Sequence, residues 1–309
     1  MDCFFRPRVA VVIRWFQPGC GFPDPENDGA LKPFDEVDFQ VRLVRPLRIF
    51  LSSLGDEVRR IVIISNSDPR FGLGESFVNA EGETATMAAI KRTFPREIES
   101  GFIRIQADDE WGNNAGSAHA LNLGWRSAVD QDGGTDHILS WNPELQMTGG
   151  ILARMLAHLE RYHLDFVGAY RKRYWYLYQW QMAQNTACLY SVHVLESVGG
   201  FSPENCDGND RTTITVPGIG QVTRAGMDDF DLALRLWRAT ERPPRWGMVG
   251  RADPILWDVD FIPGTERAIM LQKKIARQPS IIEAWVRRHF PDQDYSSVMD
   301  AFFANGHSD

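Results

Sequence analysis

Apolar residues in this chain fall into short blocks of two kinds, and their alternation predicts the architecture before any chemistry enters. Largely continuous blocks at Val9 to Ile13, Ile61 to Ile64, Phe102 to Ile105, His137 to Ser140 and Leu164 to Gly168 read as buried strands. The segments between them read as helices: one from about Phe34 to Leu54, a second through Ala118, Leu121, Leu123, Trp125 and Ala128, and a third through Leu152, Met155, Leu156 and Leu159. Strand and helix in alternation make an α/β fold, a mostly parallel central sheet flanked by helices. A ligand crevice in such a fold lies beyond the carboxyl ends of the strands.

Polar turns close the first two strands, at Gln17-Pro18-Gly19 and at Ser65-Asn66-Ser67-Asp68-Pro69, and a Gly/Pro/Asp-rich loop spans Gln17 to Pro33. Tyr174 to Trp180 suits a strand or a close-packed hairpin. Tyr176, Tyr178 and Trp180 share one face of that strand, which serves either core packing or stacking on a ring-shaped ligand. The same two uses are open to Trp175, Trp237, Trp246 and Trp257. Glu204 to Arg211 is a polar, turn-rich loop. Beyond Asp260 a short linker leads to the amphipathic Ile281 to Val286 and then to a frayed tail. There is no internal repeat or low-complexity tract, and no domain break before about residue 185.

Composition narrows the class. With 309 residues, 43% of them hydrophobic and 24% charged, the chain can bury a full core as a soluble protein. A net charge of -8 argues against a general nucleic-acid binder. Cys3, Cys20, Cys188 and Cys206 have no close metal-ligand spacing and read as free thiols of a reducing compartment, with a disulfide left open. No run reaches membrane-span length, and no apolar leader precedes a small-residue cleavage site, so a cytoplasmic protein is expected, with peripheral membrane contact left open. Oligomeric state is not set by composition.

Three segments carry candidate chemistry. In Met227 to Trp237, Phe230, Leu234 and Trp237 form a helical stripe, while Asp228, Asp229 and Asp231 lie at its N-terminal turn, where free amides and the helix dipole favour negative charge. Asp231 and Arg235 make an i, i+4 pair worth about 0.3 kcal/mol if exposed. Asn142-Pro143-Glu144 directly follows a strand. A carboxylate there either holds a hard divalent ion or begins the next helix. Asn113-Asn114-Ala115-Gly116, with Asn122 and Gly124 beyond, sets amides and small residues around a helix start, where close backbone approach is possible. Gly72-Leu73-Gly74 and Gly218-Ile219-Gly220 match neither a dinucleotide nor a P-loop fingerprint.

Taken in order, these segments resemble the inverting glycosyltransferases of family 2, which have the GT-A fold. The resemblance is carried by Asn114-Ala115-Gly116 with Asn122 and Gly124, by Asn142-Pro143-Glu144 in place of Asp-x-Asp, by Val198-Gly199-Gly200-Phe201-Ser202-Pro203-Glu204, and by Asp228-Asp229-Phe230-Asp231-Leu232 with Arg235. It implies a GT-A-like catalytic domain over residues 1–260, with a nucleotide-sugar-binding half (1–145) and an acceptor-side half (146–260) holding a smaller sheet region, then a helical extension over 261–309. It implies transfer of a sugar from a nucleotide-diphosphate sugar to a saccharide, lipid-linked or small-molecule hydroxyl, with inversion. On that reading Asp229, with Asp228 as its rival, is the general base, and Arg14, Asn66, Asp68, Asn114 and Asn142 contact the donor. Glu144 with Asn142 holds Mg2+ or Mn2+, and His193, Tyr178 and Trp180 face the acceptor. Asn142 supplies no charge where the family has an aspartate, which lowers the expected metal affinity. Arg171-Lys172-Arg173 is either a phosphate-neutralising run or a solvated turn. A noncatalytic nucleotide-sugar or glycan-binding protein of the same fold and a nucleotidyltransferase are the competing readings.

Overall fold

Strand β1 (Val9–Trp15) alternates between two cores: Val9, Val11, Ile13 and Trp15 pack into one apolar cluster, Ala10 and Val12 into the other. A strand buried on both faces belongs in the middle of a parallel sheet, and β1 lies between β2 (Val58–Asp68) and β5 (His137–Trp141), parallel to both. The computed structural model describes residues 7–15, 34–68, 73–74, 80–108, 116–129, 134–171, 183, 187–202, 212–216, 220–224, 228–255 and 282–309.

On one side of β1 the sheet continues through β2 to β4 (Ile103–Asp108), with the two-residue β3 (Leu73–Gly74) antiparallel to the end of β2. On the other side β7 (Ala187–Ser191) runs antiparallel between β5 and β6 (Phe166–Ala169). Beyond β6 come β10 (Trp246–Val249) and β11 (Gly306–Ser308), both parallel to it. A separate antiparallel pair, β8 (Thr212–Val216) and β9 (Gly220–Arg224), forms a small second sheet. The chain thus moves outward from β1 to β2 and β4, then returns to place β5 on the opposite flank. The junction of β1 and β5 is the topological switch point, where open α/β sheets bind ligands.

The strands expected within the described residues form, with β2 and β4 running furthest past their expected ends, while the strand or hairpin expected at Tyr174 to Trp180 lies outside the described residues. β2 extends through the expected turn to Asp68 because its backbone finds partners in both β4 (Asn66 opposite Asp108) and β3 (Asp68 opposite Leu73). β4 likewise continues to Asp108.

The helix expected over 34–54 forms as α1 (Glu36–Phe39), a π-turn (Gln40–Val44) and α2 (Arg45–Leu51). Asp35 caps its start, its side chain accepting from the Asp38 N–H at 2.9 Å. Pro46 accounts for the π-turn. It has no N–H to give the Arg42 carbonyl, and its ring would collide with that carbonyl in a regular helix, so the ladder widens and the Arg45 N–H reaches back to Gln40.

Helices α3 (Ala85–Thr93) and α4 (Pro95–Glu99) follow β3, α5 (Gly116–Val129) follows β4, and α6 (Gly149–Tyr162) follows β5. Helix α5 crosses β1 closely at Gly124, where an added Cβ would lie 2.2 Å from Cγ1 of Val12. A β-branched side chain in a central strand has little room to move. Gly124→Ala is therefore expected to cost about 1–3 kcal/mol by overpacking, seen as a lower urea midpoint at unchanged slope. An unchanged midpoint would contradict the crossing.

Helices α7 (Val192–Val198), α8 (Asp228–Thr240), α9 (residues 282–289) and α10 (Tyr295–Ala304) complete the described elements. The α9 segment is the amphipathic stretch expected at 281–286. The frayed tail is corrected: α10 packs Phe302 against Trp246 (5.4 Å, near-parallel rings), and β11 pairs with β10. The Asp309 carboxylate then accepts from the Gly250 and Arg251 N–H groups at 2.9 and 3.1 Å. Trp237 and Trp246 are buried core residues, and Cys188 is buried in β7. Among the described residues, no helix is long and apolar enough to cross a membrane.

Candidate functional site

At the switch point Trp15 ends β1, and Asn142-Pro143-Glu144 follows β5 directly. The turn is locally determined. Asn142 Oδ1 accepts from the Glu144 N–H at 3.1 Å, the Leu145 N–H donates to the Asn142 carbonyl at 2.9 Å, and Trp141 Nε1 donates to the Leu145 carbonyl at 2.8 Å. Glu144 is 4% exposed. Its carboxylate pairs with Nη2 of Arg42, brought across by the π-turn. Nη1 of Arg42 donates to both oxygens of Asp38, at 2.8 and 3.1 Å, and the guanidinium lies 5.4 Å from the Trp15 ring centroid. Burial works against the Arg42 charge, but Glu144 and Asp38 outweigh it and raise its pKa above the ordinary guanidinium value.

Beyond β1 the carboxyl edge continues through Ser65, Asn66 and Asp108. Asn66 and Asp108 are opposite one another in the β2–β4 ladder. Asp108 is buried, and its Oδ1 meets Nδ1 of His119, in the first turn of α5, at 2.8 Å. Trp15 Nε1 donates to Thr86 Oγ1 at 3.0 Å, and the Ser65 and Thr84 hydroxyls meet at 3.0 Å. Asp108 and His119 were not among the residues expected at the site. The sequence signal was an acidic residue just past the Phe102 to Ile105 strand, with a histidine at the Asn/Gly helix start.

Asn122, the Gly199-Gly200-Phe201 turn, Asp231 and Arg235 meet in one buried network. Asn122 Oδ1 accepts from the Phe201 N–H at 2.8 Å and from Trp125 Nε1 at 2.9 Å, while its Nδ2 donates to the Phe201 carbonyl at 2.7 Å. Arg235 donates through Nη1 to the Val198 carbonyl (2.7 Å), through Nη2 to the Gly200 carbonyl (2.8 Å) and through Nε to Asp231 (2.7 Å). The other Asp231 oxygen meets Nε2 of His289, on α9, at 2.9 Å. Asn122 and Arg235 therefore grip the Gly199-Gly200-Phe201 turn from two sides, and Asp231 ties α8 to α9.

Burial pushes the Asp231 pKa up, but the His289 and Arg235 contacts outweigh it and hold the carboxylate below its usual range. A depressed folded pKa contributes stability that is present above the unfolded value and lost as pH falls through the folded one. Asp231→Asn is thus expected to cost about 2 kcal/mol near pH 7. The gap from wild type should close as pH drops below about 4, in urea unfolding at a series of pH values. A pH-independent gap would contradict the assignment.

Connectivity orients the acidic end of α8. The helix joins β10 through residues 241–245, and β10 runs in the same sense as β6, β5 and β1. The C-terminus of α8 therefore adjoins the amino edge of these strands. The 13-residue helix, about 20 Å long, carries the backbone of Asp228 and Asp229 back toward the carboxyl edge.

Of the other expected site residues, Arg14 is in β1 opposite Ile64, on the face turned toward α5, and its side chain is half-buried. Asn66 and Asp68 lie in the extended end of β2. Asn114, Tyr178 and Trp180 lie outside the described residues. His193 lies apart from these residues. Antiparallel β7 ends where Ser191 pairs with His137, at the amino edge of β5, so His193 projects from α7 as an exposed side chain at the edge opposite Glu144. A 460 Å³ cleft between Gln146, Thr148, Arg154 and Ile255 opens two residues beyond Glu144.

No protein-family model matches the chain, and no curated protein matches it. Solved structures match in fold. A mannosyltransferase from Pyrobaculum calidifontis, in complex with GDP-Man and Mn2+, superposes with a TM-score of 0.52 at 13% identity, covering 98% of this chain and 77% of that one. TarS from S. aureus superposes with a TM-score of 0.51 at 9% identity, covering 96% of this chain and 43% of that one, so this chain spans less than half of TarS. At these identities the likeness is one of architecture, and that architecture is GT-A-like.

Proposed function

We propose that this chain transfers a sugar from a nucleotide-diphosphate sugar to an acceptor hydroxyl with inversion at the anomeric carbon. The observation that carries the reading is the convergence of its motif segments. Asn122, Gly200-Phe201, Asp231 and Arg235 come from three stretches of sequence and close one buried network, which fixes the helix beginning at Asp228. The switch point of the sheet presents Trp15, Asn142 and Glu144, joined there by Arg42 from the π-turn. The GT-A-like likeness to a mannosyltransferase that holds GDP-Man supports a nucleotide-sugar as ligand.

In this reading the donor diphosphate lies at the β1–β5 junction, with the base and ribose toward the ends of β2 and β4. Asp229 takes the acceptor proton as the hydroxyl oxygen forms its bond to the anomeric carbon, and the bond from that carbon to the diphosphate breaks with its electron pair. A well-placed base contributes roughly 100-fold to 10,000-fold. One displacement on one face inverts the configuration.

The mannosyltransferase structure contains Mn2+, but the residues at Glu144 do not fit such an ion in the arrangement described. The Glu144 carboxylate is engaged by Arg42, and Asn142 Oδ1 is engaged by the Glu144 amide. Among the described residues, no group of three His, Cys, Asp or Glu side chains gathers to hold a metal. The same commitment of Glu144 favours one competing reading, a noncatalytic nucleotide-sugar binder.

Calorimetric titration with UDP, GDP and dTDP and their sugars, followed by assay of nucleotide release with a panel of hydroxyl acceptors, separates these readings. The proposal expects binding and acceptor-dependent release with at least one donor. Binding without release under every acceptor supports the noncatalytic reading, and no binding at all defeats both.

A further inference from the structure

We infer that Arg42 is the built-in cation of the donor site: its guanidinium meets the donor diphosphate at the β1–β5 junction, so nucleotide binding needs no divalent metal. This rests on the proposed function and assigns the charge on which that function depends. Position is the first argument. Arg42 is 102 residues from Glu144 in sequence, and the π-turn at Gln40–Val44 delivers its guanidinium to the turn after β5, over the ring that ends β1. That is the switch point of the sheet, where a ligand's phosphates are expected.

Donor count is the second argument. A guanidinium has five N–H groups and no acceptor. Here Nη1 faces Asp38 and Nη2 faces Glu144, while Nε has no acceptor among the described residues. Two carboxylates fix the planar group from two sides and leave a remaining Nη2 hydrogen for a further anionic oxygen. Arginine is suited to this because its flat fork matches phosphate geometry.

Cost is the third argument. A buried ion pair is a weak source of stability, since desolvation offsets most of its attraction. The pair is more readily explained by work on a ligand than by folding. As the bond from the anomeric carbon to the diphosphate oxygen breaks, the electron pair stays on the diphosphate, and the fixed guanidinium stabilises that charge without reorganising. The proton from the acceptor goes to Asp229. In the same geometry the Glu144 carboxylate already faces a positive charge, which disfavours a divalent ion there. Removing Arg42 takes away the positive charge on which the Glu144 and Asp38 carboxylates converge, and two carboxylates turned toward one space are the oxygen donors a hard cation takes.

The test pairs two readouts. UDP and GDP binding to the full chain is measured in EDTA and in Mn2+, and Mn2+ binding without nucleotide is followed by electron paramagnetic resonance. Wild type should bind a nucleoside diphosphate equally in both buffers and leave the Mn2+ spectrum that of the free ion. Arg42→Ala should lose about 10- to 100-fold in metal-free nucleotide affinity and gain a bound Mn2+ signal, which the double variant Arg42→Ala/Glu144→Gln loses again. Should the alanine variant unfold, Arg42→Lys keeps a charge without the fork and should retain weakened, metal-independent binding. Nucleotide binding by wild type only in Mn2+, or an unchanged affinity in a folded Arg42 variant, overturns the assignment. If no nucleoside diphosphate binds in either buffer, the functional reading fails. The placement of Arg42 as the resident cation is then judged by the Mn2+ spectra alone: a signal gained by Arg42→Ala upholds it, and none overturns it.

Discussion

Gly200→Ala is expected to destabilise the protein by about 3–5 kcal/mol, the largest loss from any single methyl group considered. Gly200 has φ +87°, in the left-handed region that costs a residue with a Cβ about 1–2 kcal/mol. The added carbon would also lie 2.3 Å from Oδ1 of Asn122 and 2.7 Å from Nε1 of Trp125. Relieving that overlap pulls Asn122 from its bonds to Phe201 and Trp125, and leaves buried polar groups without partners. Gly199→Ala is the control. Gly199 is also left-handed, at φ +72°, but nothing lies within 4 Å of its added carbon, so it should show strain alone, about 1 kcal/mol. Urea unfolding of both variants measures the difference. Equal, small losses would mean that Asn122 does not clamp this turn.

Asp229→Asn is expected to lower the rate of sugar transfer by roughly 100-fold to 10,000-fold, the range for a lost general base. Donor affinity should stay within about two-fold, because the change keeps shape and touches the acceptor proton rather than the diphosphate. Asp228→Asn should cost less, and Asp231→Asn should lower stability before it lowers the chemical rate, since Asp231 is engaged by Arg235 and His289. Comparison of kcat and donor Kd across the three variants distinguishes these roles. An unaffected kcat in Asp229→Asn removes Asp229 from the mechanism.

Legibility in the sequence followed the range of the interactions. β1, β2 and β5 were readable because a strand buried on both faces must be nearly all apolar, and Val9 to Ile13 and Ile61 to Ile64 are. Asp231 with Arg235 was readable as a neighbouring pair on one helix face, and the structure contains that pair at 2.7 Å. The antiparallel turn-about of β7 was not readable, because Ala187 to Ser191 carries no sign of direction, and with it the edge at which His193 begins α7 was hidden. β11 was invisible for a stronger reason. Gly306-His307-Ser308 has no strand pattern of its own, and it forms because the edge of β10 and the Tyr162 ring, stacked on His307 at 5.1 Å, receive it.

The candidate site divides in the same way. Asn142-Pro143-Glu144 could be placed at a strand end from local pattern, but its partner could not. Arg42 reaches Glu144 only through the fold and the π-turn that Pro46 imposes. A carboxylate read alone looks like a metal ligand, and read with its counter-ion it looks like a brace for a guanidinium. His289, 58 residues beyond Asp231, was hidden for the same reason.

The anomeric configuration of the first product decides whether the chain carries out inverting sugar transfer from a nucleotide-diphosphate donor. The purified chain is incubated with each of a panel of UDP-, GDP- and dTDP-sugars and hydroxyl acceptors, and the anomeric proton of the product is read by NMR before any equilibration. Inverting transfer gives a product with at least one donor, of configuration opposite to the donor's and lost in Asp229→Asn. A product that retains the donor configuration, or donor binding that never leads to transfer, would contradict it.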